Sequence, residues 1–220
     1  MDGPSDACTR ESSGGSPSLH DVELSEAARR AVADLGRRYG EPLGIEAPID
    51  DGFDDPIRRA DRFGEVLMAI RRPSGKLLLS IKTFYPRGAY RLPTGGIHHG
   101  EPVLDALVRE TREETGLDTE VRRFLATIAY RPRSAANGPP IFHTFAFLVD
   151  ELGGTLGTLD PGERIESWSE VWPDDLPAVA ERLERVASKR SDEIGGDWAH
   201  WGRFRAVAHR VVHRALLAQR

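Results

Sequence analysis

Apolar and polar positions change period several times along the chain, and the changes outline its elements. Val66-Leu-Met-Ala-Ile-Arg and Lys76-Leu-Leu-Leu-Ser-Ile-Lys are short apolar runs joined by Arg72-Pro-Ser-Gly75, which predicts two strands around a turn. Tyr90-Arg-Leu-Pro reads as a brief extended piece. Over residues 102–115 the period lengthens to that of a helix. Leu104, Leu107, Val108 and Thr111 recur at i, i+3, i+4, i+7 and are expected to face the core. Pro102 stands where a first-turn proline is tolerated, and Gly116 where a left-handed C-terminal cap is wanted. Residues 119–130, 141–149 and 165–171 are strand-like again. Two helical stretches follow, at 173–188 and 197–218. The second carries Trp198, Trp201, Phe204, Ala208 and Val211, a stripe suited to docking on a core.

Upstream, Ser25-Glu-Ala-Ala-Arg-Arg-Ala-Val-Ala-Asp-Leu-Gly predicts a short helix ending near Gly36 or Gly40. Residues 41–62 hold Gly, Pro and Asp and read as an irregular connector. Residues 1–18, rich in Ser, Gly, Pro and Asp, read as a disordered tail. The expected organisation is a tail at 1–18, a helix and connector at 19–62, the main domain at 63–190, and a C-terminal helix at 191–220 packed on it. Strands on both sides of a central helix imply an α/β fold with a mixed sheet.

Composition narrows the class. The 220 residues are 39% hydrophobic and 30% charged, enough for a core, and the net charge of −5 argues against a broad nucleic-acid footprint. The single cysteine, Cys8, excludes an internal disulfide. The N-terminus lacks a basic run followed by an apolar stretch, and no apolar segment reaches the ~20 residues needed to span a membrane. The expectation is a soluble, cytoplasmic protein with no membrane partner, for which a second copy of the chain is a candidate partner.

The chemistry concentrates in residues 95–117, Gly-Gly-Ile-His-His-Gly-Glu-Pro-Val-Leu-Asp-Ala-Leu-Val-Arg-Glu-Thr-Arg-Glu-Glu-Thr-Gly-Leu. Within the predicted helix Glu110, Glu113 and Glu114, at i, i+3, i+4, converge on one face. Like charges so spaced repel by about a few tenths of a kcal/mol per pair in an isolated helix, and by more where the face is buried. A hard divalent cation such as Mg²⁺ suits such oxygen ligands and keeps positions open for water and phosphate. The alternative is a solvated acidic face compensated by Arg109 and Arg112.

The full string resembles the Nudix box, with Gly95, Glu101, Arg109, Glu110, Glu113, Glu114, Gly116 and Leu117 at the motif positions and Thr111 at a position that is usually apolar. Thr packs through its methyl, so the departure bears on packing rather than chemistry. The resemblance implies a Nudix-type α/β/α sandwich in which the box forms a loop–helix–loop beside a mixed sheet. It implies Mg²⁺ or Mn²⁺ on Glu110, Glu113 and Glu114, a general-base role for Glu110 in some members, and a salt bridge between Glu101 and Arg109. The substrate it implies is a small nucleotide-like molecule, a nucleoside diphosphate linked to another group, cleaved at its diphosphate bond by metal-assisted water attack on phosphorus. Members often add a glutamate from a loop outside the box. Glu163, after Pro161-Gly162, is the preferred candidate for this extra ligand or base, and Glu166, inside a predicted strand, is the other, with plain surface exposure the alternative for both.

Tyr85, Arg87, Tyr90, Arg91 and His98 lie close to the box and are candidates for contacting base or phosphate, with packing the competing role for the tyrosines and plain exposure for His98 and His99. His209-Arg-Val-Val-His213 lacks the glutamate of a zincin helix, and Gly75-Lys76 lacks the rest of a P-loop. The stretch 203–220 carries five Arg and no acid, which reads as a solvated face or a partner surface. Two other functions share this frame. A non-catalytic binding domain would be expected to lack the glutamates that this chain retains. An isomerase of the isopentenyl diphosphate type would need a catalytic cysteine, for which Cys8 is poorly placed.

Overall fold

The computed structural model describes residues 24–218 apart from 51, 53 and 60, so the tail expected at 1–18, with Cys8, lies outside the described residues. The apolar runs form β2 (Arg62–Arg71) and β3 (Leu77–Lys82), joined by the turn at Arg72–Gly75. β2 is buried on both faces, as expected for a central strand with an unbroken apolar run. It lies parallel to β6 (Phe142–Gly154) and antiparallel to β4 (Thr94–His98). β6 forms a long antiparallel pair with β5 (Leu117–Pro132), and β7 (Ile165–Val171) borders β3. The sheet runs β1 (Leu43–Ile49)-β5-β6-β2-β3-β7, with β4 attached to β2. β3 parts from β2 beyond the turn, and β4 takes the place beside the first half of β2.

Two expectations are corrected. The connector at 41–62 contains a strand, β1 (Leu43–Ile49), parallel to β5 at the sheet edge. Its short alternation is masked in the sequence by Gly44 and Pro48, and an edge strand tolerates a proline. β4 was not foreseen as a strand either, because Thr-Gly-Gly carries little strand propensity and is held extended by pairing with β2.

Helices cover both faces. α1 (Glu26–Tyr39), capped by the Ser25 hydroxyl, and α2 (Val103–Thr115) pack with Val66, Met68, Ile70, Phe124 and Phe147 on one side. α3 (Leu176–Glu184) and α4 (Trp198–Leu217) pack on the other with Leu67, Leu79 and Ile128. This is the mixed-sheet α/β architecture expected. Among the described residues no helix is long and apolar enough to cross a membrane.

α4 is tied to the sheet by buried polar groups as well as by Trp201 and Phe204. His209, fully enclosed, accepts the Leu92 N–H at Nε2 (3.0 Å), so its Nδ1 must be the donor to the Arg205 carbonyl (2.8 Å). This role leaves no ring nitrogen for a metal shared with His213. Burial, first of all, depresses the His209 pKa from 6.5 to about 4. The neutral form is the one that folds, so its stabilisation is complete above pH 6.5 and is lost as pH falls toward 4, by about 3 kcal/mol over that interval. Urea unfolding at pH 7 and pH 4.5 should therefore show a smaller acid loss in His209→Gln than in the wild type, and equal losses would refute this assignment. The basic stretch of α4 is largely neutralised within the fold, because Arg203 pairs with Asp50, Arg205 with Glu65 and Arg210 with Glu184.

Candidate active site

α2 begins after Pro102, which serves as its N-cap rather than a first-turn residue, and ends at Gly116, whose φ of 67° lies in the left-handed region. Its buried arc is Val103, Ala106, Leu107, Glu110, Thr111 and Glu114. Val108, expected in the core, is 58% exposed, and Leu104 is only half-buried. The arc is rotated because Glu110 (7% exposed) and Glu114 (1%) lie on the packed side of the helix, toward the sheet. The three glutamates therefore do not share one solvent-facing stripe. Glu113, with a side chain 45% exposed, stands at the rim.

Arg109 organises the box. Its guanidinium grips Glu101 through Nε (2.8 Å) and Nη2 (2.9 Å), donates from Nη2 to the Gly96 carbonyl (3.0 Å), and reaches Glu110 (2.8 Å) and Glu113 (3.0 Å) through Nη1. Glu101 in turn accepts the His98 N–H at 3.0 Å, which closes the loop before the helix. A Cβ at Gly95 would overlap the Glu110 carboxyl group, so glycine there leaves room for Glu110 in its present place.

Glu163 arrives from a short turn, Pro161–Glu163, that follows β6. Oxygens of Glu110, Glu114 and Glu163 lie within 4.8 Å of one another. Lys82, at the end of β3, donates to Glu163 at 2.6 Å. Burial opposes charge on Glu163, but Lys82 prevails and holds its carboxyl below the ordinary range. Glu114 behaves in the opposite way: burial pushes it up to about 8, against the pull of Lys82 and Arg91. Burial also raises Glu110. One buried oxygen of Glu114, Oε2, has no hydrogen-bond partner.

These groups line a cavity of about 340 Å³, to which Tyr85, Arg91 and His98 also contribute. Its wall carries seven Arg or Lys and seven Asp or Glu, one of them Glu114, so acidic and basic side chains are equal in number there. Arg91 is itself buried, and its Nε, Nη1 and Nη2 all donate within the protein, to Tyr85, Leu92 and Thr94, so it braces the wall instead of reaching freely for phosphate. Arg87 and Tyr90 fall in a separate hollow of about 350 Å³ with Glu166, and Tyr85 lines both. Glu166 is thus outside the carboxylate cluster. Sequence reasoning missed Lys82, which reads as the solvent end of an apolar strand, and Glu65 and Arg205, which also line the main cavity. Arg205 left a trace, since it falls inside the apolar stripe of its helix.

The chain is similar to the ADP-ribose pyrophosphatase of Methanocaldococcus jannaschii, with 30% identity over 119 residues, 53% of this chain and 66% of that protein. It is similar to Nudix hydrolase 2 of Arabidopsis thaliana over 73 residues at 37% identity, 32% of this chain and 26% of the relative. The chain thus spans less than two thirds of either relative. A crystal structure of an ADP-ribose pyrophosphatase from Streptococcus suis aligns with 71% of this chain and 93% of its own, at a TM-score of 0.44 and 20% identity. The NUDIX domain profile matches residues 61–190, the span from the start of β2 to the end of the segment after α3, and this covers more than half of the sequence. The chain belongs to the Nudix family.

Proposed function

We propose that this protein is a hydrolase that cleaves the diphosphate bond of a nucleoside diphosphate joined to another group. The observation that carries this reading is the carboxylate cluster of Glu110, Glu114 and Glu163 with an unpartnered Glu114 oxygen, inside a cavity walled by as many basic as acidic side chains. Buried carboxylates in such proximity repel unless a proton or cation lies between them. Hard oxygen donors in this number fit Mg²⁺, with Mn²⁺ an alternative, and the cation would be held by Glu110 and Glu114, with Glu113 extending the acidic face at the rim. When bound, such a cation neutralises phosphate charge and acidifies water.

The chain's own residues supply the remaining roles. Glu163, kept ionised by Lys82, accepts a proton from the attacking water as its oxygen bonds to phosphorus and the bridging P–O bond breaks, which leaves two phosphate-bearing products. Arg109 fixes Glu110 and the Gly96 carbonyl, so the acceptor geometry is set before substrate arrives. The name of the archaeal relative makes ADP-ribose the first substrate to test, alongside nucleotide sugars, dinucleoside polyphosphates, NADH and nucleoside triphosphates. A single cysteine fits a reducing cytoplasm, where we place the reaction.

Release of two phosphate-bearing products from a member of that panel should require Mg²⁺ or Mn²⁺ and stop on addition of excess EDTA. Full turnover in EDTA, with no metal retained by the protein, would overturn the proposal. Glu163→Gln should lower turnover by about a hundredfold or more, the usual range for a general base, while Mg²⁺ affinity stays close to that of the wild type. A parallel fall in Mg²⁺ affinity would make Glu163 a ligand instead.

A further inference from the structure

Arg62, the first residue of β2, stands in the cavity wall and takes no part in the roles assigned so far. Its Nε and Nη2 each donate to the Asp61 carboxylate at 3.0 Å, a two-point grip that fixes the guanidinium. The fork carries five N–H groups, so the two on Nη1 are left over. Among the described residues Nη1 has no hydrogen-bond partner. Nor is that nitrogen buried, and the side chain is 18% exposed. Arg59, in the same wall, repeats the pattern: its Nε and Nη2 hold Asp55 at 2.8 and 3.2 Å, and its Nη1 is unpartnered among the described residues. Other cations of the wall are already engaged, Lys82 by Glu163, Arg109 by the box carboxylates and Arg205 by Glu65.

The box loop sets where the Arg62 guanidinium lies. A Cβ on Gly96 would fall on that guanidinium, as one on Gly95 would fall on the Glu110 carboxyl group. Successive residues of a strand point to opposite faces, so Glu110 and Arg62 flank β4 on its two sides. Among the described residues β4 pairs with β2 alone, and its other edge carries no strand. A molecule laid across that edge meets the carboxylates on one face and Arg62 on the other. A cation held by the carboxylates neutralises one phosphate. The next phosphate would face acidic side chains without a counter-charge, unless a guanidinium takes it. Fixed guanidinium donors suit phosphate oxygens, and Asp61, half exposed, is screened by water. We propose that Arg62, supported by Arg59, forms a second anion subsite that takes the substrate phosphate which the cation does not hold. This rests on the diphosphate reading above and adds that the two phosphates are held separately.

Calorimetric titration of the full chain at saturating Mg²⁺ tests this without turnover. The probes are methylenediphosphonate, which cannot be hydrolysed at its bridge, and methylphosphonate, which has one phosphonate group. The wild type should bind the first more tightly. Arg62→Gln should weaken methylenediphosphonate about tenfold, the scale of one charge-assisted hydrogen bond, and leave Mg²⁺ affinity unchanged. Arg62→Lys keeps the charge but not the fork, should fall between the two, and serves if the glutamine variant folds poorly. Adding Arg59→Gln should weaken the diphosphonate further, whereas Arg112→Gln, exposed on α2 and outside the cavity wall, should change nothing. Wild-type affinity for methylenediphosphonate in both Arg62 variants would overturn the proposal and leave the diphosphate reading standing. A wild type that prefers neither probe would overturn both.

Discussion

Glu114→Gln is expected to lower turnover about a thousandfold while leaving the cation-free protein at nearly its original melting temperature. At ~1.36 kcal/mol per tenfold this is a loss of roughly 4 kcal/mol of transition-state stabilisation, a reasonable figure for a residue that holds an essential cation. The fold should tolerate the change because burial pushes the Glu114 carboxyl up to about 8, so without a cation it is already mostly neutral at pH 7. An amide of the same shape then replaces a protonated acid, and Glu114 Oε2 has no hydrogen bond to lose. Two measurements belong together: steady-state turnover, and melting with and without Mg²⁺. The wild type should gain thermal stability from the cation by mass action, and the variant should gain little. Near-normal turnover in the variant would remove Glu114 from the list of ligands, and with it the main support for a metal between these carboxylates.

The second large effect is on stability. Arg205→Met should destabilise the protein by about 3–5 kcal/mol, because it strands the Glu65 carboxylate in an enclosed site. For a chain of this size that corresponds to a fall in melting temperature on the order of 10 °C. The double variant Glu65→Met/Arg205→Met should recover most of the loss, since well-packed apolar side chains replace a buried ion pair at little or no net cost. Denaturant unfolding of the wild type, both single variants and the double variant gives the coupling directly. Independent, additive effects would show that the two side chains do not act as a pair.

Most element positions were legible because they are encoded locally. The apolar runs of β2 and β3, the alternation at 165–171 and the stripe of α4 each set a period, and Ser25, Gly40 and Gly116 mark helix ends by cap chemistry. The spacing of Gly95, Glu101, Arg109 and the three glutamates likewise encodes the chemistry in the sequence itself. β1 and β4 escaped because their conformation is imposed by neighbouring strands rather than favoured by Pro48 or by Gly95 and Gly96. What only the tertiary structure decided is the environment of each charge. A helical period places Glu110, Glu113 and Glu114 close together, but the docking angle of α2 determined that Glu110 and Glu114 are enclosed while Glu113 stays at the rim. Lys82 meets Glu163 across 81 residues of chain, and Glu65 meets Arg205 across 140. Periodicity and capping act over a few residues, whereas desolvation and ion pairing depend on which distant surfaces are brought together. For that reason the sequence by itself determined the elements and the motif, and the fold decided which carboxylates are neutral, which are ionised and which arginine is left with an unmet donor.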